Sequence, residues 1–229
     1  MLGVTILGNN SSLPAYDRHP TAQVVTLDDQ LFLLDCGEGT QIQLARYRIK
    51  WGRIHHIFIS HLHGDHYFGL PGFLNSMGLL HRENDLHLYA PPQLEPILQL
   101  QFEAANTLLP YKLIFHPIEA GAVLVSNDRF TVRAIPTRHR IPCFGFRFDQ
   151  VRAPRKVDPV RAIEKGIPAA FYDRLKMGEN YQRRNGEIVP NEEVTVPARK
   201  PLSYAYSADD GQIAAPWPID DPEAGLVEP

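Results

Sequence analysis

Four residues that can bind a metal ion lie within six positions of the sequence, in the run His61-Leu62-His63-Gly64-Asp65-His66. Imidazole nitrogens and carboxylate oxygens are the usual ligands of catalytic zinc, which keeps one coordination position open for water. His61 and His63 can turn both rings towards one ion, while Asp65 and His66 can serve a second ion. A polar loop with incidental histidines is the alternative, but the density of the motif favours a hydrolytic metal site.

A site for two ions needs further ligands from elsewhere in the chain. His139 follows an apolar segment, where a loop ligand belongs, although on its own it would be an ordinary surface histidine. Asp209 follows a short apolar run, and a carboxylate there can bridge two cations or form a solvated acidic turn. Asp35 ends the apolar run 31–34, where it can orient a ligand histidine or cap a turn or helix.

The elements that must hold these residues alternate between strands and helices, which predicts an α/β domain. The strand pattern 54–60 runs directly into the metal motif, and His55 and His56 within it are expected to be structural. Apolar residues from Leu70 to Leu80 recur at helical spacing, with Pro71 as the first helical residue. The remaining segments are predicted as strands (4–7, 23–26, 31–34, 86–90, 111–118, 129–135, 144–148, 203–207) or helices (94–108, 159–165).

Composition restricts the class of protein. With 229 residues, 44% of them hydrophobic and 21% charged, the chain can bury a core and is not globally disordered. No apolar run has the length of a membrane span, no secretion signal is recognisable, and two cysteines are too few for a disulfide framework. We therefore expect a cytoplasmic protein without membrane segments.

The net charge of −3 conceals an uneven distribution of charge along the chain. Residues 152–184 contain nine Lys and Arg against four Asp and Glu, whereas residues 209–229 contain six acids and no base. The first stretch is polar and dotted with prolines, which indicates an insertion or arm rather than core. A local excess of positive charge is suited to phosphate contacts, although an ordinary solvated arm has the same composition.

Several segments together resemble ribonuclease Z (tRNase Z), the endonuclease family that trims the 3′ side of tRNA precursors. The run His61–His66 is the metal motif of the metallo-β-lactamase fold to which that family belongs. The other similar segments follow in the family's order from residue 1 to about 210: Leu7-Gly8 with Pro14 and Arg18, Leu34–Gln41, Ile57–Ser60, Gly69–Gly72, His139–Pro142 and Tyr206–Asp209. This combination is far more specific than the metal motif alone.

The resemblance implies a four-layer αββα sandwich with an inserted basic arm and two zinc ions. His61, His63 and His139 would hold one zinc, and Asp65 and His66 the other, with Asp209 bridging them. Asp65 would also accept a proton during catalysis.

The resemblance also implies a domain plan, a substrate and an assembly. Residues 1–149 would form the core, 150–202 the arm that grips tRNA, 203–210 a return to the core and 211–229 a divergent acidic tail. Precursor tRNA is the expected substrate, and a homodimer the expected assembly. The basic residues expected to contact tRNA are Arg152, Arg155, Lys156, Lys165 and Lys176.

Three departures from the family pattern keep other functions open. Ala169-Ala170 replaces the usual Gly-Pro of the arm, and Asp210 stands where threonine is usual. The sequence after residue 210 does not resemble the family's C-terminal part, and no histidine follows His139, so the C-terminal part is expected to be incomplete. The alternatives are another hydrolase of small esters on the same fold, or an inactive nucleic-acid-binding remnant.

Overall fold

The computed structural model describes residues 2–208, apart from 12, 14, 28, 152, 153, 198 and 199. Within this range the chain divides into two compact units. The first comprises the described part of Met1–Ser126, Thr131–Phe148 and the residues from Ser203 onward, and the second comprises Asn127–Phe130 and Asp149–Leu202. None of the helices in the described part is both long and apolar enough to cross a bilayer.

The first unit contains a six-stranded sheet in sequential order. It consists of β1 (Leu2–Gly8), β2 (Ala22–Leu27), β3 (Gln30–Leu34), β4 (Ile54–Phe58), β5 (Leu86–Ala90) and β6 (Leu113–Pro117). The pairs β1–β2 and β2–β3 are antiparallel, and β3 to β6 run parallel. Because parallel strands need crossovers, helices follow β3, β4 and β5 and can cover one face of the sheet.

These helices are α1 (Thr40–Arg46), α2 (Gly64–Tyr67), α3 (Leu70–Leu79) and α4 (Leu94–Ala104), with a 3₁₀ turn at Trp51–Arg53. Pro71 lies in the first turn of α3 but is its second residue rather than its first, because the helix begins at Leu70. Phe73, Leu74 and Met77 of α3 pack with Ile57 and Leu88 of the sheet in one apolar cluster. Residues two apart point to the same face of a strand, so the alternate positions of β3, β4 and β5 face away from this helical layer.

Helix α4 is shorter than the predicted segment 94–108. Asn106 adopts the left-handed conformation with φ 48°, and the Thr107 amide donates to the Phe102 carbonyl at 2.8 Å. This pattern ends a helix by satisfying its last carbonyls. The prediction was too long because the apolar residues Leu108 and Leu109 continue the helical spacing past the true end.

A second, four-stranded sheet faces the first. Its order is β14–β9–β8–β7, formed by β7 (Val123–Ser126), β8 (Phe130–Pro136), β9 (Phe144–Gln150) and β14 (Ser203–Tyr206). The sequence prediction missed β7. Aromatic rings fill the space between the sheets: the ring centroids of Phe58 and Phe146 lie 5.3 Å apart, as do those of Phe32 and Phe148. Helices, sheet and sheet are thus successive layers of this unit.

The second unit is built from short elements around a small core of its own. It contains α5 (Pro159–Glu164), α6 (Tyr172–Lys176), α7 (Asn191–Val194), a 3₁₀ turn at Ala169–Phe171 and two strand pairs, β10 (Lys156–Val157) with β13 (Thr195–Val196) and β11 (Tyr181–Gln182) with β12 (Ile188–Val189). The Asp158 side chain caps α5 by accepting from the Val160 and Arg161 amides. The core consists of Ala162, Ile167, Leu175, Val189 and Val194.

Candidate metal centre

The metal motif occupies a tight turn between β4 and α2. Strand β4 ends at Phe58, and α2 begins at Gly64 after a short extended segment. A side chain at Gly64 would collide with the Phe68 ring, since a Cβ added at this position would lie 2.2 Å from it. Glycine therefore lets the Phe68 ring lie against the backbone where the chain turns from strand to helix, and a larger residue there would have to displace this exposed ring.

The segment after β3 fixes the position of α2. The Cys36 amide donates to the His66 carbonyl at 2.7 Å, and the Gly69 amide donates to the Cys36 carbonyl at 2.9 Å. Gly69 approaches the backbone of Gly37 so closely that an added Cβ would lie 2.1 Å from the Gly37 carbonyl oxygen. The segment that resembles the family at Leu34–Gln41 thus holds the helix that carries Asp65 and His66.

Three histidines, His61, His63 and His139, direct a ring nitrogen towards one common point. His61 Nε2 lies 2.9 Å from His63 Nδ1, which lies 3.2 Å from His139 Nε2. The ring planes are close to perpendicular, at 82° for His61 and His63, 85° for His63 and His139, and 73° for His61 and His139. His139 comes from the loop after β8. Because each ring directs one nitrogen to the same place, this histidine tripod can hold a metal ion.

Asp65 and His66 lie beside the histidine tripod on α2. Asp65 Oδ2 is 3.7 Å from His66 Nε2, and the His66 ring centroid is 4.1 Å from that of His61. His66 is buried, whereas Asp65 is half-buried. The carboxylate oxygen and the imidazole nitrogen face each other, and together they form the donor set expected for a second ion.

Asp35 orients the His66 ring from behind. Its buried carboxylate accepts from His66 Nδ1 at 2.7 Å, from the Ser60 amide at 2.7 Å, from Ser60 Oγ at 2.8 Å and from the Tyr206 hydroxyl. The proton on His66 Nδ1 leaves Nε2 as the nitrogen that can bind a metal. Of the two interpretations of Asp35, orientation of a histidine is the one that the contacts support, and it caps none of the helices in the described part of the chain.

Burial and hydrogen bonding oppose each other at Asp35. Burial alone would raise the pKa of this carboxyl, but the charge of His66 and the hydrogen bonds from His66, Ser60 and Tyr206 outweigh it and lower the pKa. Asp35 also has a left-handed backbone with φ 53°, which is uncommon for a residue other than glycine. The carboxylate is thus held ionised in a fixed position beneath the metal motif.

Sequence reasoning missed three side chains at this centre. Ser60 and Tyr206 both donate to Asp35, and Arg140 donates from Nε and Nη2 to His63 Nε2 at 3.1 and 3.0 Å. All three lie in segments that carry the family resemblance, which was the available signal. Nothing in their residue types marks them, because serine, tyrosine and arginine are common at strand ends and in loops.

The remaining predicted site residues are outside the described residues or belong to the second unit. Asp209 and Arg152 are outside the described residues. In the second unit, Lys165 pairs with Glu193 and Lys176 with Asp173 at 2.8 Å. Arg155 donates to Thr195 Oγ1 at 2.7 Å, and Lys156 lies exposed on β10.

The charge of the second unit is lower than the sequence window suggested. Residues 149–202 contain eleven Lys and Arg and eight Asp and Glu. The window 152–184 stopped short of Glu187 and Glu193, which pair with Arg183 and Lys165. The surface of this unit is therefore only moderately basic.

A second group of histidines lies within the six-stranded sheet, and we call it the histidine row: His56 on β4, His87 on β5 and His116 on β6. The rings of His56 and His87 stack with their centroids 5.0 Å apart and their planes 20° apart. His87 Nδ1 and His116 Nε2 lie 2.9 Å apart, and these planes also differ by 20°. Burial and the neighbouring histidines lower the pKa of His56 to about 4.

Comparisons with known proteins agree with this geometry. The metallo-β-lactamase fold protein YhfI from Bacillus subtilis aligns with 63% of this chain and 56% of its own, with a TM-score of 0.51 and 21% identity. The short form of human tRNase Z aligns with 63% of this chain and 64% of its own, with a TM-score of 0.59 and 34% identity. The chain is therefore a metallo-β-lactamase-fold protein, and the predicted fold class is confirmed.

Sequence relatives narrow this class. Ribonuclease Z of Porphyromonas gingivalis is 41% identical over 208 residues, which cover 90% of this chain and 68% of the relative. The profile of a family described as "Anti-Pycsar protein Apyc1" matches residues 2–152. The chain belongs to the ribonuclease Z family, and its residues 2–152 also fall within the family of that profile. It spans about two thirds of the length of the curated relative and of the human structure.

Proposed function

We propose that this chain is a zinc-dependent endoribonuclease that removes the 3′ trailer from tRNA precursors. The observation that carries the proposal is the convergence of the histidine tripod beside Asp65 and His66, in a chain 41% identical to ribonuclease Z. The products would be a 3′-hydroxyl on the tRNA and a 5′-phosphate on the trailer. By family membership, we expect the enzyme to act as a cytoplasmic homodimer.

The donor set fits zinc better than a hard cation. Three imidazoles with nitrogens 2.9 and 3.2 Å apart suit tetrahedral zinc, whereas magnesium and calcium prefer oxygen ligands. His61, His63 and His139 would hold one ion. Asp65 and His66 would hold the other, with Asp209 as the expected bridge between the two.

The chain's own residues would bind the substrate and manage its protons. Zinc, when bound, acidifies a water from a pKa of ~15.7 to roughly 7 and stabilises negative charge on the phosphoryl oxygens. Asp65 would position this nucleophile and accept its proton, because its half-buried carboxylate lies 3.7 Å from His66 Nε2. Asp35 would hold the His66 ring in place through its Nδ1 proton.

Precursor tRNA is favoured as the substrate by the arm at residues 150–202. The curated relatives match about 90% of the chain, so their similarity extends through this segment. Phosphate contacts would come from Arg152, Arg155, Lys156, Lys165 and Lys176. Lys165 and Lys176 would have to exchange their carboxylate partners for phosphates, so we expect Lys156 and Arg155 to contribute more.

A hydrolase of small esters is the second candidate. It is supported by the family profile, which ends at residue 152 and therefore matches the metal centre without the arm. Such an enzyme would need the histidine tripod but not the basic residues of the second unit. Hydrolysis of small phosphodiesters without cleavage of precursor tRNA would favour this candidate.

Zinc content and tRNA cleavage test the proposal together. We expect zinc by elemental analysis and release of the 3′ trailer from a labelled precursor tRNA. Asp65→Ala should reduce turnover by roughly 100-fold to 10,000-fold, the range of proton-transfer catalysis, with tRNA binding nearly unchanged. Asp128→Ala, on an exposed loop before β8, is the matched control.

Two outcomes would contradict this assignment. Bound tRNA without cleavage, in a chain that holds at most one zinc, would show a nucleic-acid-binding remnant. Unchanged turnover in Asp65→Ala would remove this residue from its catalytic role.

A further inference from the structure

Arg140 donates hydrogen bonds to His63, and this contact is incompatible with a metal ion bound to the same ring. Its Nε and Nη2 groups both lie within hydrogen-bond distance of His63 Nε2, at 3.1 and 3.0 Å. On the other side of the same ring, His63 Nδ1 points into the histidine tripod. One ring therefore faces a cationic side chain and a candidate metal position at once.

A neutral His63 ring carries one proton, and the nitrogen that holds it decides whether the ring can contact Arg140 or a metal ion. An arginine guanidinium only donates hydrogen bonds, so His63 Nε2 must offer its lone pair and the ring proton must lie on Nδ1. A metal on Nδ1 needs the lone pair there, which places the proton on Nε2. That N–H would then point at the N–H groups of Arg140, and neither could accept.

We propose that Arg140 is a phosphate-binding residue that a metal ion at the histidine tripod releases from His63. Arg140 is exposed and immediately follows His139, so the released guanidinium stays at the rim of the metal centre. A guanidinium there can donate two hydrogen bonds to a phosphate oxygen pair. The inference rests on the proposed function, because that function supplies the phosphodiester.

The exchange has two consequences that other arginines of the loop would not share. Arg140 competes with the metal for His63, so its removal should strengthen metal binding. Arg140 also holds the phosphate once it is released, so its removal should weaken anion binding in the metal-loaded protein. Arg138 carries the same charge two positions earlier in the same exposed loop and serves as the control.

The first test measures zinc affinity by competition with a chromophoric chelator. Arg140→Gln should bind zinc about 3- to 10-fold more tightly than the wild type, since glutamine can accept from His63 Nε2–H. Arg138→Gln should leave the affinity within about twofold. Equal changes in both variants would show a general effect of charge and would overturn the competition.

The second test measures binding of inorganic phosphate to the zinc-loaded chain by calorimetry. Arg140→Gln should weaken phosphate binding by about 10-fold or more, the value of a charge-assisted hydrogen bond, and Arg138→Gln should not. An unchanged phosphate affinity in Arg140→Gln would overturn the proposal.

The tautomer of His63 gives a direct readout that does not depend on activity. Long-range ¹H–¹⁵N correlations of the chelator-treated chain should show the His63 proton on Nδ1, and addition of zinc should move it to Nε2. A proton on Nε2 before zinc is added would overturn the competition between Arg140 and the metal. If zinc binds and the tautomer switches but precursor tRNA is not cleaved, the proposed function fails while the role of Arg140 stands.

Discussion

The histidine tripod and the histidine row contain the same residue type in the same unit but differ in geometry. In the tripod, ring planes cross at 73° to 85° and three nitrogens approach one point. In the row, neighbouring planes differ by only 20°. The row therefore stacks, while the tripod converges.

The backbone explains this difference. His56 and His87 are register partners on adjacent parallel strands, where side chains stand side by side and roughly perpendicular to the sheet. His61, His63 and His139 come after strand ends, where each residue can take its own backbone angles. A count of histidines is thus a poor guide to a metal site, and the position of each relative to a strand end is a better one.

The largest expected difference between the two groups is in zinc affinity. His63→Ala should lower it by more than about 100-fold, because loss of a ligand exceeds the 10- to 100-fold loss typical of a ligand's supporting contacts. His87→Ala should leave it within about threefold, since no third donor among the described residues converges with His87 and His116. Competition with a chelator measures the zinc affinity of both variants. Comparable losses of affinity in His63→Ala and His87→Ala would contradict the distinction between the tripod and the row.

Asp35→Asn should weaken the support of one candidate ligand, His66, without removing the ligand itself. The amide cannot accept from all four donors around Asp35, so His66 loses its charged partner. We expect zinc affinity at the Asp65 and His66 position to fall by about 10- to 100-fold, with the tripod position retained. Zinc titration followed by elemental analysis would show the lower affinity as loss of the zinc ion at the Asp65 and His66 position.

The control for this variant is Asp85→Asn, which removes a carboxylate two positions before His87 of the histidine row. It should bind zinc as the wild type does. If Asp35→Asn still bound zinc at the Asp65 and His66 position as tightly as the wild type, the orientation of His66 by Asp35 would be irrelevant to metal binding.

The sequence predicted the class of fold because its signals are local. The apolar run before the metal motif, the Pro71 helix start and the alternation of strands and helices all follow from periodicity and turn residues. Strand β7 was missed because Val123–Ser126 is short and only partly buried, so it has little apolar pattern. The end of α4 was missed because it depends on the backbone angle of a single residue, Asn106.

The candidate site could be predicted only where its residues are close in sequence. Spacing within the motif shows that His61 and His63 can share an ion, and the structure brings them within 2.9 Å. The contacts of Tyr206 with Asp35 and of Arg140 with His63 join residues 171 and 77 positions apart. Such contacts depend on how the two sheets face each other, and no local pattern encodes that.

The smallest expected effect concerns His56, where the histidine row affects stability rather than chemistry. Burial, then the charges of His87, His55, His116 and Arg82, lowers the pKa of His56 to about 4 from 6.5. The unfolded chain therefore binds a proton between about pH 6.5 and pH 4 that the folded chain does not. By linkage, the free energy of unfolding falls as the pH falls through this window.

His56→Phe should remove this pH dependence and stabilise the fold slightly. Among the described residues, His56 Nδ1 is buried without a hydrogen-bond partner, and the ring stacks on Phe32 at 5.6 Å and on Tyr89 at 6.0 Å. A phenylalanine keeps the stacking and removes the unsatisfied nitrogen, which should raise the free energy of unfolding at pH 7 by about 1 kcal/mol. Denaturant titrations in the presence of a chelator, at pH 7 and pH 5, measure both effects.

The difference between the variant and the wild type isolates His56, because every other ionisable residue is present in both. Between pH 7 and pH 5 the free energy of unfolding of the wild type should fall more than that of His56→Phe. The extra fall should be at most the value that corresponds to the uptake of about one proton on unfolding. His81→Asn is the control: His81 is exposed, and asparagine tolerates its left-handed φ of 56°. A parallel loss in His56→Phe would mean that His56 binds its proton equally well in the folded and the unfolded chain, which would contradict the lowered pKa of this residue in the stacked row.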